Sequence, residues 1–394
     1  MFSKIFKILN DCKFYFKNPK ANELVVLDDE GIEYLENILK NRNYFILITR
    51  LTNLKKIYLT PKIIFFFFFY YRGNIFLAYL SALIKIINPL VIITYIDHSE
   101  KFHKLASLFR HKIKFIAIQN AIKDLEINFS EYLKNKKIKF YDYKKNYFIP
   151  YLFSYGQFEI NFFKKKKIKV MNFKKIGSLK VSNFKRIKKL NLINNKRYDI
   201  CLIAETAPNY DKLFRGQGIE AGMALMKKFT IRFCRENNKR IIIPMKRYLK
   251  KSKSEEINFF KKYLSKSEFN FLLKNSISKT SQDKYISYLK IYESNVTVSC
   301  ATSMLREALS LNKKIMVCNA SPSKIFDFPL KEFFFIKEPS YKEFKKKLNI
   351  ILFLNEKKYF DMLGKKRNYM IVDSNKIDAN DEVNKFLDNI LKIN

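Results

Sequence analysis

Short apolar runs alternate along this chain with stretches whose apolar residues recur every three or four positions, the two periods that separate strands from helices. In the first half, residues 24–27, 44–49, 63–70, 90–95, 114–118 and 149–154 read as strands, and 173–180 as a short closing strand. Residues 31–40, 75–87, 101–110 and the stretch from Gly156 to Phe163 read as helices, with Asn88 and Pro89 stopping the second. The run Phe65 to Phe69 is expected inside a buried strand. The second half restarts the alternation. Strands are expected at 198–204, 240–244, 269–273, 296–298, 315–317 and 333–336, and helices at 220–237, 255–264, 283–292, 341–354 and 380–391. The 220–237 helix is expected to bury Ala221, Leu225, Phe229 and Phe233. Such alternation implies parallel sheets covered on both faces. The expected fold class is therefore α/β, with two doubly wound Rossmann-type domains facing a central cleft. Their spans are 1–179 and 198–375, joined by a basic linker at 180–197 and followed by a C-terminal helix at 376–394.

One stretch organises the candidate chemistry. Residues 295–318 read as strand, turn, helix, strand, with Ser299, Thr302 and Ser303 in the turn and Glu307 one helical turn on. A strand feeding a helix through a hydroxyl-rich turn leaves backbone N–H groups free to hold an anion. Glu307 is placed to reach a sugar hydroxyl beside that anion. Other polar residues follow strands on the same side: Glu205 and Thr206, then Lys246 and Arg247. Two cations, a carboxylate and a helix start are what a nucleotide diphosphate needs. In the first half the strand ends carry Asp28, Asp29, Thr49, Arg50, Asp97, His98, Gln119 and Asn120, groups suited to a polyhydroxylated acceptor. Asp97 and His98 are candidates for acid–base work, since histidine titrates near neutral pH. Gln119 and Asn120 are candidate acceptor contacts. Each has a plainer reading: helix caps for the hydroxyls, a surface carboxylate for Glu307, two more solvated cations for Lys246 and Arg247, and an exposed loop histidine for His98.

Composition changes this picture in three ways. The 77 Lys and Arg against 36 Asp and Glu give a net charge of +41, which draws a protein to polyanions, whether nucleic acid or an acidic membrane face. The accompanying excess of Lys, Phe, Ile, Asn and Tyr is also what an AT-rich coding sequence produces. The five cysteines show no C-x-x-C pairing and read as buried free thiols of a reducing compartment. Three histidines, none in a ligand-spaced cluster, argue against zinc. The apolar tract at 63–96 is broken by Arg72, Lys85, Asn88 and Pro89, so any membrane attachment is expected to be peripheral.

The strand followed by Ser299-x-x-Thr302-Ser303-x-x-x-Glu307-Ala-Leu and Lys313-Lys-Ile-Met-Val317 resembles the donor-binding unit of GT-B glycosyltransferases, without the usual glycine of that turn. More narrowly, Tyr95-Ile-Asp-His98, Phe115-Ile-Ala-Ile-Gln-Asn120, Ser154-Tyr-Gly156, Ile176-Gly-Ser-Leu179 and the Ser303 to Leu309 segment are similar, in order, to bacterial surface-carbohydrate (polysaccharide or lipopolysaccharide) biosynthesis proteins. Ala121 stands where that pattern carries Gly. The resemblance implies a GT-B-like fold, with the first domain on the acceptor side and the second on the nucleotide-donor side. It implies glycosyl transfer from a nucleotide-sugar donor, as substrate, to a glycan or lipid-linked acceptor, with no resident cofactor and no obligatory metal. A cytoplasmic protein, peripheral at an anionic membrane's inner face, would fit that role. A polyol-phosphate transferase or a nucleotide-sugar epimerase on the same scaffold is the near alternative. A basic nucleic-acid-binding protein is the distant one, although no specific nucleic-acid motif is present.

Overall fold

A computed structural model describes residues 12–136, 146–188, 197–206, 218–245, 250–278 and 284–391. The chain divides into two compact units. One comprises residues 1–121, 130–183 and 377–394, and the other 122–129 and 184–376. Both are parallel α/β units, so the expected fold class of two Rossmann-type domains holds.

The first unit carries β2 (Leu24–Leu27), β3 (Phe45–Leu47), β5 (Val91–Thr94), β6 (Lys114–Ile118), β7 (Phe148–Ser154) and β8 (Lys169–Lys175). They form one parallel sheet in the order β3-β2-β5-β6-β7-β8. A separate parallel ribbon pairs β1 (Lys13–Tyr15) with β4 (Lys56–Tyr58). All four residues of β2 and all four of β5 are buried, as the near-continuous apolar runs of a sheet covered on both faces require. The C-terminal helix, Ala379–Leu391, joins this unit: Val383, Leu387 and Leu391 pack in one core with Leu24, Val26, Val91, Ile93, Ile116 and Ile118.

The second unit carries β9 (Tyr198–Leu202), β10 (Ile241–Met245), β11 (Ser276–Ser278), β12 (Ser294–Ser299), β13 (Lys314–Asn319) and β14 (Phe335–Lys337), in the order β11-β10-β9-β12-β13-β14. All pairings are parallel. The long helix Ile219–Glu236 packs along this sheet.

Three expectations are corrected. Phe65 to Phe69 lie in a helix, Pro61–Tyr70, and not in a strand. Thr60 caps it by accepting from the Ile63 N–H, and Pro61 occupies the first helical position, where its missing donor is harmless. Residues 269–273 are likewise helical, within Lys266–Lys274, opened by a Ser265–Glu268 capping box; the strand comes after them, at Ser276–Ser278. In the 219–236 helix the buried face is Gly222, Met223, Met226, Lys227, Thr230, Phe233 and Cys234, while Ala221 is exposed. The stretch read as a linker is helical over Leu179–Lys188, and its remainder, 189–196, lies outside the described residues.

Candidate functional site

In the second sheet, β9 to β11 step outward one way and β12 to β14 the other, so the strand order reverses between β9 and β12. Such a reversal opens a crevice at the strands' carboxyl ends, the usual ligand position in an open parallel sheet. β9 runs there into Ala204, Glu205 and Thr206; β12 ends on Ser299 and feeds the Ser303–Ser310 helix through Thr302. The structure therefore brings Glu205, Thr206, Ser299, Thr302 and Ser303 to one sheet edge from two separate stretches of sequence. Thr302 is the helix N-cap, its hydroxyl accepting from the Met304 N–H at 3.4 Å. The Ser299 and Thr206 hydroxyls are both buried, with no hydrogen-bond partner among the described residues. A buried polar group without a partner costs about 1–3 kcal/mol. Two of them at one edge fit a place where a polar ligand completes the bonding.

Sequence reasoning missed Lys227. Its side chain is fully buried, and its Nζ donates to the Glu205 carbonyl at 2.5 Å and to the Met223 carbonyl at 3.2 Å. Its ammonium also sits over the Phe259 and Phe260 rings. Burial pulls its pKa down to about 8, opposed by the fields of Cys300, Glu205 and Glu256. Lys227 thus fixes the backbone at the end of β9 and places a cation beneath the crevice. The available signal was its position: it falls between Met223 and Ile231 at helical spacing, on the face a buried helix cannot leave polar without reason.

Glu307 does not join this edge. It is fully buried and accepts a hydrogen bond from the Tyr288 hydroxyl at 3.0 Å, tying the Ser303–Ser310 helix to the Ile286–Tyr292 helix. Lys246 and Arg247 directly follow β10 but lie outside the described residues.

The first sheet also reverses, between β2 and β5. Asp28 follows β2 in a left-handed conformation, φ 75°. Its carboxylate accepts from the Thr49 hydroxyl at 2.6 Å and lies 3.2 Å from the Arg50 Nε. Burial raises the Asp28 pKa against the lowering pull of Thr49 and Arg50. Asp97 and His98 follow β5. Asp97 is fully buried, and its Oδ1 lies 3.8 Å from the half-exposed His98 Nδ1, within ion-pair reach. His98 lines a cavity of about 230 Å³ with Asp28, Thr49, Arg50, Ser99 and Lys101. Here the acid, the base and the guanidinium meet at one switch point.

Gln119 does not reach that cavity. It is buried, accepting from the Tyr155 N–H at 2.9 Å and donating to the Ala121 carbonyl at 3.0 Å and to Glu159 at 3.3 Å. It braces the turn after β6 against the end of β7. Asn120 is partly exposed, and its carbonyl accepts from Lys180.

No protein-family model matches the chain, and no curated protein matches it. Among solved structures it is similar to the wall teichoic acid polymerase TagF, at 11% identity over 99% of this chain and 98% of that one, with a TM-score of 0.49. It is similar to sucrose-phosphate synthase from Thermosynechococcus elongatus, at 10% identity over 94% and 99% of the two chains, TM-score 0.47. It is also similar to HepE of Anabaena in complex with UDP and glucose, at 10% identity over 94% and 99%, TM-score 0.46.

Proposed function

We propose that this chain is a glycosyltransferase that moves a sugar, or a sugar-like unit, from a nucleotide-activated donor to a surface polysaccharide or lipid-linked acceptor. The observation that carries the reading is the second unit's switch point, where Thr206, Ser299, Thr302 and Ser303 converge from β9 and β12 on one sheet edge. Amides at the start of the Ser303–Ser310 helix and these hydroxyls bind the donor diphosphate. Lys246 and Arg247, next in line after β10, neutralise it, and Lys227 adds a buried positive field. Charge on the departing diphosphate is then stabilised by fixed protein dipoles and cations in place of a metal ion. Glu205 offers a carboxylate to the donor's hydroxyls. Glu307 acts as a positioning residue, holding the helix through Tyr288.

In the first unit His98 deprotonates the acceptor hydroxyl, and the buried Asp97 carboxylate favours the imidazolium that results. The proton moves from the acceptor oxygen to the His98 ring, the acceptor oxygen bonds the sugar's anomeric carbon, and the bond to the diphosphate breaks. Asp28 and Arg50 supply hydrogen bonds to the acceptor's other hydroxyls, and Asn120 contributes from the neighbouring strand end. The protein acts in the cytoplasm at the inner face of the plasma membrane.

Calorimetric titration with UDP, GDP, CDP and CMP compounds tests the donor site. One nucleotide class binds the wild type, and Ser299→Ala with Thr302→Ala weakens it about tenfold or more, the scale of losing charged hydrogen bonds. Product analysis with the labelled donor then distinguishes a glycosidic bond from a phosphodiester or an epimerised free sugar. Binding of duplex DNA or RNA with no nucleotide binding would overturn the reading.

A further inference from the structure

The helix Pro61–Tyr70, expected as a buried strand, leaves Phe65, Phe68 and Phe69 outside, with Phe66, Phe67 and Tyr70 partly buried. Phe65 is 65% exposed, Phe68 68% and Phe69 59%, with Ile64 at 47%. At 3.6 residues per turn these four positions span an arc of about 140°, so they form one face. Ile63 alone in this helix is buried, against the unit's interior. Tyr71 and Ile75 continue the exposed apolar surface past the helix end. Three cations frame it: Lys62 and Arg72 are exposed at the two ends of the helix, and the exposed Lys85 reaches over the Phe66 ring. Arg72 is held there by the Phe69 and Tyr71 carbonyls.

The sequence around this face is one-signed. From Glu36 to Asp97 there is no carboxylate, while Lys40, Arg42, Arg50, Lys55, Lys56, Lys62, Arg72 and Lys85 supply eight cations. A second copy of the chain, pairing face to face, would bring like charges together. A surface of packed phosphate headgroups over acyl chains matches both features at once, taking the rings below the headgroups and the cations at them. No described helix is long and apolar enough to cross a bilayer, so the match is to its surface.

We propose that the Phe65, Phe68 and Phe69 face of the Pro61–Tyr70 helix, framed by Lys62, Arg72 and Lys85, docks this protein on an anionic phospholipid membrane. The rings enter the interface and the cations pair with lipid phosphates. This inference does not rest on the transferase reading: vesicle binding reads the docking face, and nucleotide titration reads the donor site.

The test is flotation of the full chain with vesicles of phosphatidylcholine containing about a third phosphatidylglycerol, a composition that gives a negative surface potential. Wild type floats with these vesicles and is released by salt. Phe65→Ser, Phe68→Ser and Phe69→Ser together reduce binding about tenfold or more, because interfacial affinity scales with buried apolar area. Lys62→Glu with Arg72→Glu reduces it comparably. Circular dichroism checks folding, and if the triple variant is unfolded the charge variant decides. Failure of the wild type to float, or wild-type affinity in the folded triple or charge variant, overturns the proposal. So does a lipid-free dimer that the triple variant splits while vesicle binding is unchanged.

Discussion

Lys227 is the residue on which the Thr206 and Ser299 edge of the second sheet turns, and its burial makes a pH prediction with a definite sign. Its pKa is about 8 in the folded protein against an ordinary 10.5. Below pH 8 it is charged in both states, so folding carries the full penalty of a buried cation. Between the two values the unfolded chain binds more protons than the folded one, so stability due to this group rises with pH. The cysteines act oppositely, since burial raises the thiols of Cys201, Cys234 and Cys300. The comparison is therefore with Lys227→Met, which leaves the thiols unchanged. The unfolding free energy of wild type minus variant, from urea midpoints, should increase from about pH 7.5 to about pH 10. A difference that stays flat would mean that Lys227 keeps its proton in the folded protein across this range, as a solvated lysine does. Arg306 gives a second test at this scale. It is fully buried and its Nη2 lies 2.7 Å from the Asp124 Oδ1, within the same unit. Asp124→Ala removes the carboxylate that faces this buried guanidinium and should lower stability by about 3–5 kcal/mol. Adding Arg306→Met should recover much of the loss in the same denaturation experiment.

At the scale of the element, end signals decided what was legible. The helix at 75–87 has its expected span because Asn88 takes the left-handed C-terminal position and Pro89 forbids continuation; at its start the structure adds an Asn74 cap that accepts from the Leu77 N–H. The Phe run misled because five aromatics favour a strand by local propensity, while Thr60 and Pro61 outside the run had already committed the chain to a helix. At 269–273 the signal lay in the Ser265–Glu268 box, four residues upstream of the apolar run. The candidate site followed the same rule. Residues at strand ends could be placed on an edge from the alternation alone, so Ser299, Thr206, Asp28 and His98 were legible. Which way their side chains faced was not, and Glu307 and Gln119 proved to be internal braces. The buried face of the 219–236 helix was hidden because Gly222, Lys227 and Thr230 occupy it. Gly222 belongs there for a steric reason. A Cβ at that position would lie 2.5 Å from the Ser321 backbone nitrogen, so the helix touches the loop after β13. Gly222→Ala must push the two apart and should cost about 1–3 kcal/mol, read as a lowered thermal midpoint, despite alanine's higher helix propensity.

At the scale of the whole molecule, stretches far apart in sequence, 12–121 and 379–391, belong to one unit. The Ala379–Leu391 helix follows the entire second unit in sequence yet completes the core of the first. Its Asp388 and Asn384 both pair with Arg42, and Glu382 lies 3.0 Å from Lys174. Amphipathic spacing at 380–391 announced the helix, but periodicity names a face without naming what covers it. The assignment has a consequence that a beads-on-a-string arrangement would not share. Leu387 is fully buried among Leu24, Val91 and their neighbours, and Leu387→Ala should cost about 2–5 kcal/mol through lost burial and the cavity left behind. That loss belongs to the first sheet, although the substitution follows the second unit in sequence. Native-state hydrogen exchange separates the two outcomes, since amides report the stability of the unit that contains them. Protection should fall at β2, β5 and β6, near residues 24, 91 and 116, and stay at the wild-type level at β9 and β12. Equal loss in both sheets would mean that the two units unfold as one. Loss confined to the second sheet would place the helix there instead.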